Sequence, residues 1–356
     1  MTNATTQIDQ MPPPVWSGPD GPEATFEVRP LSIGPIRIGF PIVQAALSGY
    51  SDGPMRIVAR RLGATYTLAE VMIDRFVNDQ RQHRNHGKLQ VTDEEHPVGG
   101  QLMGSDPEQF GPAARRLVES GFDVIDINFG CPVKSAVGGC RGGYHLSQPQ
   151  VALDIVARVR DAVPAHIPVT LKMRRGIDES DLSRTRFFQI LDGAFERGAA
   201  AITVHGRTVD QKYVGPSNWD FLRDVKRHAG HKTILGSGDA FTAQACLDML
   251  RRTGVDGVSV ARGAIGNPWI FQQAYALAQG RPAHWPDLAE QRRVLLMQFE
   301  LCLQSAGSAK ATSTMRSFGI KFSTLHPASV SVRNAFARCQ SEDHWRQTID
   351  QWYGTF

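Results

Sequence analysis

Three observations predict an α/β chain built as a closed (β/α)8 barrel of the TIM type with a small C-terminal all-helical domain. Eight short apolar or β-branched runs are each followed by a stretch with helical spacing. No GxGxxG follows the first run, as an open dinucleotide-binding sheet would require. The strand signal stops near residue 280 while helical patterns continue to the end. A length of 356 residues suits one barrel of roughly 250 residues plus a smaller module.

Residues 1–30 are expected to form a flexible tail. MTNATTQIDQMPPPVWSGPDGPEA lacks the basic start and continuous apolar stretch of a secretory signal, and its Pro, Gly and polar content does not support a packed element. The barrel is expected over 31–280. Its candidate strands are PIVQAAL (41–47), ATYTLAEV (64–71), PVGGQLM (97–103), VIDINFG (124–130), VTLKMRR (169–175), AAITVHG (200–206), TILGSG (233–238) and GVSVARG (257–263). Helical spacing follows each, for example over 107–121 and over 241–254, the latter ending on a glycine stop. From 281 to 356, beginning with PAHWPDLAEQRRVLLMQFELCLQ, the pattern is helical throughout.

Composition narrows the class. Apolar residues make up 41% of the chain, but their runs fall well short of the roughly 20 residues a spanning helix needs, so no membrane association is expected. Five cysteines without a CxxC pair argue for free thiols and a cytoplasmic setting. The net charge of +4 is mild but unevenly spread. Residues 301–341 hold Lys310, Arg316, Lys321, Arg333 and Arg338 with no Asp or Glu, and RQHRNHGK (81–88) follows the second strand. Two basic clusters near one barrel mouth point to an anionic macromolecule.

Function in a barrel collects at the C-terminal strand ends. The fourth candidate strand ends in Asn128-Phe129-Gly130-Cys131-Pro132, the fifth carries Lys172, the sixth ends in His205-Gly206-Arg207, the seventh in Ser237-Gly238-Asp239 and the eighth in Ala261-Arg262-Gly263. Glycines at the last two ends let backbone N–H groups approach a phosphate. Lys172 interrupts an apolar strand; it suits the negative charge of a reduced flavin ring, or pairs structurally with Asp126 or Glu70. Cys131 stands in a Gly-rich loop with Lys134 and Arg141 close in sequence, placed to act as a nucleophilic thiolate or as a general acid. Cys140 shares the loop without the strand-end position, while Cys246 and Cys302 fall on helical apolar faces and read as core thiols. His205 and Arg207 are a donor pair. No HExxH or calcium-loop pattern is present, so no metal is expected.

DINFGCP, VTLKMR, ITVHGRTVDQKYVG and ARGAIGNPWIF, in this order and spacing, resemble the tRNA-dihydrouridine synthase family. VGGQLMGSDPEQF and LSGYSDGPMR are similar to its third strand and first flavin-contacting loop, and the likeness runs over about 36–280. It implies a barrel enzyme that uses FMN, with NADPH (or NADH) as reductant, to reduce the C5–C6 double bond of uridine in tRNA or another structured RNA. Carried over to this chain, Cys131 protonates C5 while hydride reaches C6. Ser48, Gln101, Lys172 and His205 contact the flavin; Ser237, Gly238, Asp239, Ala261 and Arg262 hold its ribityl phosphate. Asn128 and Arg207 face the uracil, and Arg316 and Lys321 of a helical RNA-binding domain (281–356) meet the RNA. A cytoplasmic monomer is expected. The chain departs from the family pattern in AALSG (45–49), in SGD (237–239) and in Gly143-Tyr144-His145-Leu146, where small residues and leucines are usual. The last change is expected to add bulk beside Cys131. Two alternatives stand beside this reading: a flavoprotein acting on a free pyrimidine, and a non-catalytic RNA-binding homologue.

Overall fold

The computed structural model describes residues 15–17, 25–79 and 89–354. Eight parallel strands close into a barrel: β1 (Ile42–Gln44), β2 (Thr67–Ile73), β3 (Val98–Met103), β4 (Val124–Phe129), β5 (Val169–Arg174), β6 (Ala199–His205), β7 (Thr233–Ser237) and β8 (Gly257–Val260), with β8 returning to β1. Each expected strand coincides with one of these. Two are trimmed by local polar bonds. Leu47 leaves the ladder because its N–H donates to Ser51 Oγ (2.8 Å) and its carbonyl accepts from Tyr50 N–H (3.0 Å). β2 starts at Thr67 because the Arg60 guanidinium takes the carbonyls of Ala64 (2.9 Å) and Thr65 (2.5 Å).

Strand alternation sorts the side chains. Ile125, Ile127 and Phe129 of β4, Leu171 and Met173 of β5, and Ile202 and Val204 of β6 are fully buried beneath the surrounding helices. The intervening residues, Asp126 and Asn128, Thr170, Lys172 and Arg174, and Thr203 and His205, therefore point into the barrel. Its lower layer is apolar and closed by a hairpin, Leu31–Ile33 against Ile36–Gly39, whose turn places Gly34 at φ 56°. Leu31, Ile33 and Ile38 pack there against Val43, Tyr66, Leu68, Val124, Ala201 and Leu235. The strand reading omits this plug, although LSIGPIRI carries period-2 alternation about a Gly-Pro turn.

Of the expected tail, residues 1–14 and 18–24 lie outside the described residues. Within it, Val15–Ser17 pairs antiparallel with Thr25–Glu27, and Val28 is buried, which corrects the expectation of no packed element. VWS and TFE are rich in strand-forming residue types, a local signal that the surrounding Pro and Gly content masks.

After the helix Ile270–Ala278 come helices Leu288–Phe322, Ser329–Ala337 and Glu342–Tyr353. The first starts on Asp287, whose side chain accepts from Glu290 N–H (2.7 Å), and breaks at Gly307 (φ 73°, ψ 169°). Trp345 stacks on Phe299 at 4.2 Å and 7°. These helices sit against the loops that follow β8 and β1: Phe322 meets Trp269 and Phe318 meets Tyr50, both edge-on at 5.7 and 5.3 Å. Their buried side chains and the outward row of the barrel form one continuous apolar cluster. No helix among the described residues is long and apolar enough to cross a membrane.

Candidate active site

Above the apolar plug the inward residues turn polar, and a directed hydrogen-bond chain runs up to Cys131. Buried Asp126 accepts from Thr170 Oγ1 (2.6 Å) and Gln101 Nε2 (2.7 Å). Gln101 Oε1 accepts from Asn128 Nδ2 (2.8 Å), and Asn128 Oδ1 accepts from the N–H groups of Gly130 (3.0 Å) and Cys131 (2.9 Å). An ionised carboxylate can only accept, so Asp126 dictates which way Gln101 turns its amide, and Gln101 in turn dictates Asn128. Desolvation raises the Asp126 pKa, an effect opposed by its bonds to Thr170 and Gln101 and by the charge of Lys172.

Cys131 is a partly exposed free thiol at the end of β4. Its loop folds tightly about it. Cys131 carbonyl accepts from Gly143 N–H (3.0 Å), a Cβ on Gly142 would lie 2.8 Å from Cys131 Cβ, and Gly142 holds φ 60°. Glycine is required there by both space and backbone conformation. Of the two bulky residues that depart from the family pattern in this loop, His145 does not reach the mouth. His145 turns inward, 1% exposed, with Nε2 2.9 Å from Gly104 carbonyl and its ring 5.2 Å from Phe129; burial lowers its pKa, leaving it neutral. Tyr144 is half-buried, its ring edge-on to that of His145 at 6.1 Å.

Lys172 lies beside Asn128 and Thr203 in the ladder and makes no hydrogen bond or ion pair among the described residues. Asp126 is committed to Thr170 and Gln101, and Glu70 accepts from Gly49 N–H (2.7 Å). Burial first, then the charge of Arg174, lowers the Lys172 pKa to about 8, against the pull of Asp126 and Cys131. His205 accepts from Arg207 N–H on Nδ1 (3.1 Å), so the ring proton sits on Nε2 as a donor. Desolvation and the nearby cations, Lys172 foremost, push its pKa down to about 2. Arg174, which the motif reading passes over, ties the mouth together: its guanidinium donates to the carbonyls of Gly130 (3.0 Å), Thr208 (2.7 Å) and Lys212 (2.7 Å). Its place two residues after Lys172 on an alternating strand is the signal that could have found it.

The remaining candidates divide. Ser237 is buried at the end of β7, and Gly238 (φ 111°) and Asp239 (φ 60°) follow with two successive left-handed backbones, a concave N–H arrangement suited to an anion. The Asp239 carboxylate is engaged elsewhere, by Arg207 NH2 (2.6 and 2.8 Å) and Ser217 N–H (2.7 Å). Arg207, 3% exposed, also donates to Gly215 carbonyl; this geometry braces the Asp239 loop and leaves NH1 without a hydrogen-bond partner among the described residues. Ala261 is half-buried and Arg262 exposed at the start of the short helix Arg262–Gly266. Ser48 is exposed in the turn after β1. Arg316 is half-buried and Lys321 exposed on the docked helix, with Lys321 carbonyl against Gly266. The basic run 81–88 lies outside the described residues. Cys246 is buried, its pKa pushed up to about 12, and Cys302 is buried and likewise raised. Among the described residues no three His, Cys, Asp or Glu side chains gather as a metal site.

Comparison with known proteins adds sequence likeness to this geometry. A family model described as dihydrouridine synthase matches residues 43–353. A probable tRNA-dihydrouridine synthase of Rickettsia prowazekii is 32% identical over 305 residues, covering 85% of this chain and 91% of that protein. The tRNA-dihydrouridine synthase B of Xanthomonas axonopodis pv. citri is 32% identical over 317 residues, covering 88% and 92%. Among solved structures, morphinone reductase in complex with tetrahydroNAD is similar with a TM-score of 0.52 at 14% identity, over 73% of this chain and 92% of that one. Histamine dehydrogenase from Rhizobium sp. 4-9 gives 0.54 at 13%, over 77% of this chain and 50% of that one. At those identities the structural likeness concerns the fold alone.

Proposed function

The chain belongs to the dihydrouridine synthase family, and from that membership and the geometry of the mouth we infer that it reduces the C5–C6 double bond of uridine in tRNA, as a flavin-dependent oxidoreductase. The observation that carries the reading is the meeting, on adjacent strand ends, of the Cys131 thiol, an ammonium without a partner on Lys172 and a neutral histidine with Nε2–H to donate on His205.

The residues present fit a flavin. An unpartnered cation at the mouth suits the negative charge a reduced isoalloxazine carries, and the Ser259 hydroxyl, buried on β8 without a partner, offers a further polar contact. Lys172 and His205 would hold the ring, and the backbone of Gly238, Asp239 and Arg262 one phosphate, which favours FMN. When bound and reduced, the flavin supplies the hydride that C6 receives. Cys131 supplies the proton to C5, and Lys172 and Arg174 offset the charge left on sulfur. Asn128, its oxygen committed to the Cys131 backbone, keeps one N–H to present to a uracil carbonyl. The resemblance that supplies these roles also implies NADPH or NADH as reductant.

The test is reduction of uridine in an unmodified tRNA transcript by purified protein, with free uridine and dihydroorotate as competitors for the assignment. Dihydrouridine detected by mass spectrometry in the RNA alone supports the reading; turnover of the free pyrimidines alone, or protein without flavin absorbance, refutes it. Cys131→Ala is expected to lower RNA reduction by about 10²–10⁴-fold with flavin content unchanged.

A further inference from the structure

Among the described residues eight large hydrophobic side chains are exposed, and five of them, Phe76, Val133, Tyr213, Val214 and Phe241, stand on the segments that follow β2, β4, β6 and β7. They therefore edge the mouth of the barrel. Apolar surface gathered at one rim marks an interaction site more often than chance decoration. All three rings carry a guanidinium on a face: Arg75 lies 5.0 Å from the Phe76 centroid, and Arg262 lies 4.8 Å from Phe241 and 5.0 Å from Tyr213. Exposed aromatic faces paired with fixed cations match the two halves of a nucleotide, a π-faced base and an anionic phosphate.

Strand order gives the arrangement. Around the barrel, β7 and β2 flank the β8–β1 sector on which the C-terminal helices are docked through Tyr50–Phe318 and Trp269–Phe322, while β4, bearing Cys131, faces that sector across the mouth. Phe241 and Phe76 thus stand at the two sides of the docked helices. A strand of RNA crossing the mouth beneath the helices would meet one ring before the reacting position and one after it.

Resting on the uridine-reduction reading, we propose that Phe76 and Phe241 are stacking sites for the unpaired nucleotides that flank the target uridine in the opened RNA loop. Drawing a base into the barrel breaks its stacking with both neighbours, and a ring on each side of the mouth replaces the lost partners. Stacking tolerates any base, so these sites hold the loop open without selecting its sequence.

The experiment uses full-length flavin-loaded protein and an unmodified tRNA transcript, with affinity measured by fluorescence anisotropy for wild type, Phe76→Ala, Phe241→Ala, the double variant, and Phe76→Trp and Phe241→Trp. Each alanine variant is expected to bind about tenfold more weakly and the pair about 100-fold. The tryptophan variants are expected to bind like wild type, and the slope of log Kd against log salt should not change, since no phosphate contact is removed. A 12-nucleotide single-stranded RNA carrying 2-aminopurine should lose fluorescence on binding wild type and regain most of it with the double alanine variant. Wild-type affinity within twofold in both alanine variants, or tryptophan variants as weak as alanine, overturns the stacking sites while leaving the enzyme reading intact. Wild type that neither binds nor reduces the tRNA removes both together. Melting temperature and bound flavin per chain, equal across the set, tie the affinity change to the rings.

Discussion

Lys172 shows how one side chain can be held in readiness by what it lacks. Its ammonium has no hydrogen-bond or ion-pair partner among the described residues, and burial with Arg174 nearby lowers its pKa to about 8 from the usual lysine value near 10.5. In the unfolded chain the lysine keeps its proton to higher pH, so between about 8 and 10.5 the unfolded state binds more protons and stability rises with pH. Below 8 the folded protein carries the full penalty of a desolvated charge. Lys172→Met is therefore expected to be more stable than wild type by about 1–2 kcal/mol at pH 7 in the flavin-free protein, allowing for screening at the open mouth. That gap should narrow as pH is raised from 8 to 10. Melts of the flavin-free proteins over the same pH series check both. His205 behaves in the opposite way: pressed down to about 2, it stays neutral throughout that range and contributes no limb to the profile.

At the scale of elements, the Cys131 loop is shaped by two glycines and sealed from behind by His145. Gly142→Ala places a methyl 2.8 Å from Cys131 Cβ at a backbone φ of 60°, a conformation costing roughly 1–2 kcal/mol for an alanine. The expected result is at least tenfold slower RNA reduction with flavin content retained, because Lys172, His205 and Gly238 come from other strands. Steady-state turnover beside flavin absorbance distinguishes this from general damage. Beside Gly104, the helix Asp74–Asn78 buries Asp74, whose Oδ2 has no hydrogen-bond partner among the described residues and whose pKa burial raises to about 6. A folded pKa above the unfolded one means a stability contribution that is present at low pH and lost as pH rises through 6. Asp74→Asn is expected to stabilise by about 1–2 kcal/mol at pH 7.5, with the advantage vanishing as pH falls toward 4. Thermal melts in buffers from pH 4 to 7.5 provide the check, and an advantage that grows on acidification would refute the assignment.

Over the whole molecule, barrel and C-terminal helices share one apolar core, so the helices are less an attached module than a wall of the mouth. Trp269, fully buried, is covered from that side by Phe322. The docking brings the helix that carries Arg316 and Lys321 to the β8–β1 sector, where the sequence alone places it only in a separate domain. If Arg316 and Lys321 meet phosphates there, the double variant Arg316→Ala, Lys321→Ala should reduce the slope of log affinity against log salt by about 2 and weaken binding without regard to RNA sequence. An unchanged slope in a salt titration of tRNA binding would move the phosphate contacts elsewhere.

The sequence by itself determined the barrel and the strand-end positions of Cys131, Lys172, His205 and Gly238, because both follow from local rules. Period-2 runs separated by helical stretches set strand number and order, and barrel geometry assigns function to the strand ends. Local signals also held what was overlooked, the Gly-Pro hairpin under the barrel and Arg174 two residues beyond Lys172. Only the tertiary structure decided pairing. Arg207 reads as a free guanidinium until Asp239, distant in sequence, is found to hold its NH2. His145 reads as an obstacle until Phe129 and Gly104 are seen to take it into the core. Asp126 reads as a possible lysine partner until Thr170 and Gln101 claim it and turn it into the group that orients Asn128. Which partner a polar side chain chooses depends on distances across strands that no spacing encodes, and at the mouth that choice separates a ligand from a brace.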